Sequence, residues 1–411
     1  MRSIGGLTRP GRQRAGSPKG PVELRHLPPD PRSDLLAARI RSELETHLDL
    51  LKLPNSFGTS QIPSKDAIRR MHELHRGEVL QKARGLLESH GEELEQALAP
   101  GSEVDPPRIS PFIVPVGPET PESRLFRLAS LTWSVPVSGG YGRRMRFLVK
   151  DRQNRKLIGL IALTDPVFNL RARDDWIGWT AAGRTERLRF VMDACVLGAL
   201  PPYSYLIGGK LVAALAASNE IRESFRRRYR RSKSEISHRR NNIELALLTT
   251  TSALGKSSIY DRLKVMRKVE FLSVGETKGY GHFHVPDSLF QMMRRYLAVL
   301  GHAYANGNRF GQGPNWKMRV IRETIRLTGS DPRILHHGIP REVYVVPLAY
   351  NAKRFLAGQA DRLRPISASA PTISSFCKGR WVIPRALRDE RYRDFRPESL
   401  VHELKCAARV V

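Results

Sequence analysis

Cysteine is scarce in this chain. Cys195, Cys377 and Cys406 are the three of that type in 411 residues, and they stand far apart. They are too few for a disulfide framework and too scattered for a zinc cluster. A reducing compartment fits that usage, so a cytoplasmic protein is expected. No apolar run approaches the ~20 residues of a membrane span, and no membrane partner is expected. The N-terminus is basic but lacks the apolar stretch of a secretory signal. Internal repeats are also absent. Acidic residues are in deficit: 40 Asp and Glu face 69 Lys and Arg, which leaves a net charge of +29. A field of that size attracts polyanions by counterion release. It points to DNA or RNA as a partner, with codon bias in an arginine-rich proteome as the competing source of the excess.

A complete phosphate-binding loop is missing, although the chain approaches one. TTTSALGKSSIYDRL (residues 249–263) ends its loop in Gly255-Lys256-Ser257. The ATPase pattern G-x-x-x-x-G-K-[ST] needs a glycine where Thr250 stands. That glycine lets the backbone N–H groups wrap the phosphates at dihedrals other residues avoid. No later apolar strand ends in an Asp that could hold magnesium. Ser257 and Ser258 read instead as the cap of a helix that carries Tyr260 and Arg262.

What is present reads as α+β. Residues 1–30, rich in Gly, Pro, Arg and Ser, are expected to be a disordered basic tail. Residues 31–120 read as a helical N-terminal region, with helices near 33–53 and 64–99, followed by a linker holding Pro106, Pro107, Pro111, Pro115 and Pro118. A core follows over 121–300 and a C-terminal α/β extension over 301–411. Within the core, 144–150 and 156–163 read as paired strands across an Asp151–Asn154 turn. An apolar strand over 193–200, a helix over 208–229 and a strand over 244–250 suggest a parallel crossover. A helix from Ser257, a strand near Phe271 and helices over 288–300 and 316–328 come next, then a strand over 343–346.

The crossover, DACVLGALPPYSYLIGGKLVAALAAS (193–218), resembles the acyl-CoA-binding element of GNAT acetyltransferases. In that family a strand leads to a glycine loop, and the next helix N-terminus takes the pyrophosphate. The resemblance implies a GNAT-like mixed sheet, with Gly208, Gly209 and Lys210 at the cofactor loop and Tyr260 as general acid. The family's loop runs roughly R/Q-x-x-G-x-G/A. Here Tyr205 takes the basic or amide position and Lys210 the last small one, so the motif is damaged.

Six longer segments carry a second resemblance. They are GYGRRMRFLVKD (140–151), LIGLIALTDPVFNLRARDDWIGW (157–179), MDACVLGALPPYSYLIGGKLVA (192–213), LLTTTSALGKSSIYDRLK (247–264), GQGPNWKMRVIRE (311–323) and HGIPREVYVVPLAYN (337–351). In this order they resemble the DruA family of the Druantia anti-phage defence systems. The resemblance implies a bacterial, cytosolic defence component, often found near mobile elements, with a helicase-like protein and other Druantia proteins as partners. It brings no catalytic residue with it.

Candidate sites therefore come from the residues themselves. RESFRRRYRRSKSEISHRR (222–240) is the densest basic run. At 100° per residue Leu211, Leu215, Phe225 and Tyr229 share one helix face, with Arg227, Arg228 and Arg231 opposite. Guanidinium groups so presented grip phosphates bidentately, and Arg226, Arg230 and Lys233 join them. The bland alternative is a solvated helix end, where cations are favoured in any case. Arg143, Arg144 and Arg146 form a smaller cluster beside Tyr141, either a phosphate grip or a hairpin entrance. Trp316 beside Lys317 offers base stacking, or simply a core indole. Asp165, Asp174 and Glu276, with Asp175 near, are the carboxylates a magnesium-dependent nuclease would use; Arg171, Arg173 and Arg184 are the partners that would instead neutralise the aspartates. His282 and His284, with Asp287, and His336-His337 are weaker metal candidates, and no metal site is expected. The leading expectation is a nucleic-acid-binding defence component without conventional acetyltransferase activity and without a cofactor. A metal-dependent nuclease or transposase-like enzyme, and an acyl-CoA-dependent acyltransferase, are the alternatives.

Overall fold

The computed structural model describes residues 31–51, 65–135, 137, 140–230, 244–282, 284–307 and 314–409. The tail expected over 1–30 lies outside them. Three helices come first, α1 (Pro31–Leu51), α2 (Lys65–Lys82) and α3 (Arg84–Ala97). The proline-rich stretch that reads as a linker then contains a strand, β1 (Pro111–Pro115), ahead of α4 (Pro121–Ser130). A strand holding two prolines is tolerated at a sheet edge, where a missing N–H breaks no ladder bond. Val116 N donates inward to Arg146 O, so Pro111 and Pro115, at odd offsets from it, turn their nitrogens outward.

The chain continues through β2 (Arg144–Asp151), β3 (Leu157–Thr164), α5 (Arg171–Ile177), α6 (Ala181–Arg187) and β4 (Val191–Ala199). Next come α7 (Gly208–Leu215), α8 (Asn219–Tyr229), β5 (Leu247–Thr251), β6 (Lys264–Val265), β7 (Val269–Glu270) and β8 (Leu272–Glu276). The last elements are α9 (Asp287–Val299), α10 (Pro314–Thr328), β9 (Glu342–Pro347), α11 (Ala352–Leu356), α12 (Ala370–Cys377), α13 (Ile383–Ala386) and α14 (Pro397–Ala407). Seven strands form one mixed sheet in the order β1-β2-β3-β4-β5-β9-β8, so it draws on residues on both sides of positions 120 and 300. Only β4 and β5 pair in parallel; every other neighbouring pair is antiparallel.

Both faces of the sheet are covered. All eight residues of β3 are buried, as a central strand between two layers requires. Phe147, Val149, Ile158 and Ile161 pack on one side with Leu211, Leu215, Phe225 and Ile373. Leu148, Leu157 and Leu160 pack on the other with Leu87, Leu94, Phe126 and Val401. A separate helical lobe joins α1 to α9 and α10 around Ile40, Leu44, Met293, Val320 and Ile321. Among the described residues no helix is long and apolar enough to cross a membrane.

Two local expectations need correction. The helix expected over 208–229 is two helices, because Asn219 and Glu220 bind the backbone of Ala368 and Ala370 and restart the chain there. The helix expected from Ser257 is a single turn: Ser257 Oγ accepts from Ile259 N and Tyr260 N, as a cap would, but no α-helix follows.

Histidines gather between the helical lobe and the sheet. His47, His72, His284 and His337 are buried, and the rings of His47 and His284 stack at 5.9 Å. Burial lowers His72 and His282 to about 4, and His284 and His337 to about 3. All four are neutral in the folded protein at pH 7. The unfolded chain takes their protons first, near 6.5, so stability falls as pH drops through 6.5 towards 4. Each contributes a loss of about 1.4 kcal/mol per unit of pH over that window. Thermal unfolding recorded from pH 7.5 to pH 4.5 is expected to show a steeply falling midpoint below pH 6.5; a flat profile contradicts this.

Candidate functional site

The arginine-rich end of the sheet is organised by Arg143. Gly140 and Gly142 precede it at φ +67° and +62°. A Cβ on Gly142 would stand 2.1 Å from Asp165 Oδ2, so only glycine lets the loop close on that carboxylate. Arg143 N donates to Asp165 Oδ2 at 2.9 Å and Arg143 Nε to Oδ1 at 2.7 Å. The other two guanidinium nitrogens donate to Arg189 O at 2.7 Å and Val191 O at 3.1 Å. The same group lies 5.5 Å from the Phe225 ring and 5.8 Å from that of Tyr229. Arg143 is therefore held by protein on every side. Asp165 is its counter-ion.

Arg144 differs. Its side chain is exposed, and its carbonyl oxygen accepts from Tyr229 Oη at 3.1 Å. That bond ties the C-terminal end of α8 to the start of β2. Helix α8 buries Ile221, Phe225 and Tyr229 and exposes Arg226, Arg227, Arg228 and Arg230, as the helical period requires. Arg222, on the buried side, donates to Leu348 O and Asn219 Oδ1. Among the described residues none of the five exposed arginines has an ion pair. Arg231 and Lys233 lie outside the described residues. Arg146 is half-buried over the Phe126 ring at 5.4 Å.

Other candidates are placed apart from this end. Trp316 is buried in the helical lobe, where its Nε1–H donates to Tyr304 O at 2.7 Å, and so it is not presented for base stacking. Lys317 pairs with Asp287 at 3.1 Å and lies over Phe290. Asp174 is enclosed by Arg173, wholly buried, and by Arg184 at 3.1 Å; Asp175 pairs with Arg171 at 3.2 Å. Glu276 stands exposed at the end of edge strand β8. The structure does not bring Asp165, Asp174 and Glu276 together. Among the described residues no three His, Cys, Asp or Glu side chains are grouped so as to hold a metal. His282 and His284 lie in the irregular approach to α9 and not on a strand.

The parallel pair holds a second polar cluster. Strands β4 and β5 are in register only from Val191↔Leu247 to Asp193↔Thr249, and then diverge. Thr249 Oγ1 donates to Asp193 Oδ1 at 2.7 Å. Burial raises the Asp193 carboxyl to about 6, and the Thr249 hydrogen bond opposes it. Tyr260 sits across the fork, stacked on Phe271 at 5.3 Å and edge-on to Tyr344 at 5.4 Å. Burial pushes its phenol up to about 12. Asp193 was not singled out in the sequence. Its one signal there is a lone acid in the apolar run 191–197, and its burial depends on β5.

The glycine loop ahead of α7 is closely packed by protein. A Cβ on Gly209 would stand 3.1 Å from Ile259 Cδ1, and one on Gly208 would stand 2.5 Å from Tyr203 O. Lys210 Nζ lies 5.4 Å from the Trp381 ring.

Breaking the Arg143–Asp165 pair leaves a half-buried charge without its partner, so Arg143→Ala is expected to lower stability by about 3 kcal/mol. Arg227→Ala, at an exposed site, is expected to stay within about 0.5 kcal/mol. Urea unfolding at pH 7 measures both, and equal effects contradict the division of roles.

Comparison with known proteins places this geometry in a family. The sequence model of a family described as Druantia protein DruA matches residues 63–358. The chain is 42% identical over 371 residues to the Druantia protein DruA of Escherichia coli (strain UMEA 4076-1), which covers 89% of this chain and 92% of that protein. No solved structure matches the chain. With all seven strands and the exposed arginines inside the matched residues, the chain belongs to the DruA family.

Proposed function

We propose that this protein is a nucleic-acid-binding component of a Druantia anti-phage defence system, acting in the bacterial cytosol beside a helicase-like partner and other proteins of the system. The observation that carries the binding is the group of four exposed arginines on α8, Arg226, Arg227, Arg228 and Arg230, without ion pairs among the described residues. They stand at one end of the sheet in a chain of net charge +29. An anchored helix that offers guanidinium groups from its outer face suits phosphates and carries no base readout by itself. The family membership supports the defence role.

The strand order supports a GNAT-like core. Antiparallel strands lead to one parallel pair, joined by a glycine loop and helices. Fold and activity are separate matters. Ile259 and Trp381 crowd the loop, which favours a core without conventional acetyltransferase activity. The acyl-transfer alternative draws its support from Asp193 and Tyr260 at the fork, and it requires saturable binding of an acyl-CoA.

Fluorescence anisotropy with single- and double-stranded DNA over a salt series tests the proposal. The wild type is expected to bind at ~100 mM salt with a steep log–log slope. Replacing Arg226, Arg227, Arg228 and Arg230 with Ala is expected to reduce the slope by about 0.9 for each duplex phosphate lost, or about 0.7 on a single strand. Affinity should fall at least about tenfold, with unfolding unchanged. An unaltered slope and affinity contradict the proposed interface.

A further inference from the structure

On the face of the sheet opposite α8, a cavity of about 130 Å³ opens between α4 and strands β2, β3 and β4. Three arginines line it: Arg127 from α4, and Arg144 and Arg146 from β2. Its remaining wall is largely apolar, with Phe126, Val137 and Val196. Among the described residues no carboxylate lines it, and none of the three arginines forms an ion pair. Burial, together with the like charges of Arg144 and Arg127, lowers the Arg146 pKa. Three cations converging on a half-buried hollow without a counter-ion repel one another, and an anion seated among them removes the repulsion.

Size and charge narrow the class of anion. The hollow is small and open on one side, a shape that suits the terminal group of a larger molecule. A phosphate monoester carries close to two negative charges at neutral pH and three strong acceptor oxygens, a match for three guanidinium groups. An internal phosphodiester carries one charge and must pass a chain through the site at both ends.

We propose that this cavity is a binding site for a terminal phosphate monoester, with Arg146 at its base and Arg127 and Arg144 at its mouth. The site goes beyond the arginine face of α8, because it takes a phosphate whether or not that helix binds nucleic acid. The same chemistry is carried by a phosphorylated strand end and by a free nucleotide.

Arg146→Met tests the site, since it keeps an unbranched stem over Phe126 and removes the charge. Oligonucleotides of one sequence bearing a 5′-phosphate, a 3′-phosphate or only hydroxyl ends would be titrated against the wild type, this variant and the α8 quadruple-alanine variant. The wild type is expected to prefer a phosphorylated end by about tenfold. Arg146→Met should lose that preference and keep its affinity for the hydroxyl-ended strand. The α8 variant should weaken both strands and keep the preference, so failure of the helix interface and failure of the cavity read differently. Thermal unfolding with inorganic phosphate covers the case in which no oligonucleotide binds: phosphate should raise the midpoint of the wild type and not of Arg146→Met. Competition by a nucleoside monophosphate at equal affinity assigns the site to free nucleotides, and weaker competition assigns it to strand ends. No end preference together with no Arg146-dependent stabilisation by phosphate overturns the proposal.

Discussion

The arrangement of the arginine-rich end depends on one half-buried guanidinium. Arg143 joins four pieces of chain: the glycine loop before β2, Asp165 after β3, the backbone at the start of β4, and the two aromatic rings on the inner face of α8. Removing a charge from water is costly, and the structure offsets it by giving each guanidinium nitrogen an acceptor. The consequence is positional. With α8 held by Phe225 and Tyr229, its outer arginines and Arg144 are fixed at the same end of the sheet. A basic composition alone would scatter such charges, whereas this fold sorts them. Arg143, Arg173, Arg184 and Arg222 hold the chain together, and the exposed set faces solvent.

Much of this was legible along the chain, and the parts that were not have identifiable causes. Apolar runs located β2, β3 and β9, and the helical period separated the two faces of α8, because each pattern is decided by residues within one element. Contacts made across long sequence distances escaped. The restart of the helix at Asn219 needs the backbone near Ala368, about 150 residues away, and the edge strand β1 needs β2 to pair with. For Trp316 the sequence left base stacking and a core place both open, and the carbonyl of Tyr304 and the ring of Phe290 show it to be core. Of the aspartates after β3, the pairing of Asp174 and Asp175 with Arg173, Arg184 and Arg171 was legible from their closeness in sequence, whereas the Arg143 partner of Asp165 was not.

The strand fork was legible as topology and illegible as chemistry. A parallel crossover predicts that two strands share a few ladder bonds, but not that Asp193 and Thr249 form the last pair before they part. Burial raises that carboxyl to about 6, and the phenol of the half-buried Tyr260 is raised to about 12. Here the neighbouring glycine loop is packed by Ile259, so the fork is preserved while its mouth is narrowed. The arginine end has the opposite character, with charge presented outward and no titrating partner. The exposed arginines carry the same sign as the net charge of +29.

The most direct measurement is photo-crosslinking of the full chain to DNA carrying photoreactive bases, with the attached peptides mapped by mass spectrometry. If the arginine end is the nucleic-acid interface, crosslinks concentrate in peptides from 140–146 and 219–230. Crosslinks confined to the helical lobe of α1, α9 and α10, or to the glycine loop at Gly208 and Gly209, would contradict it.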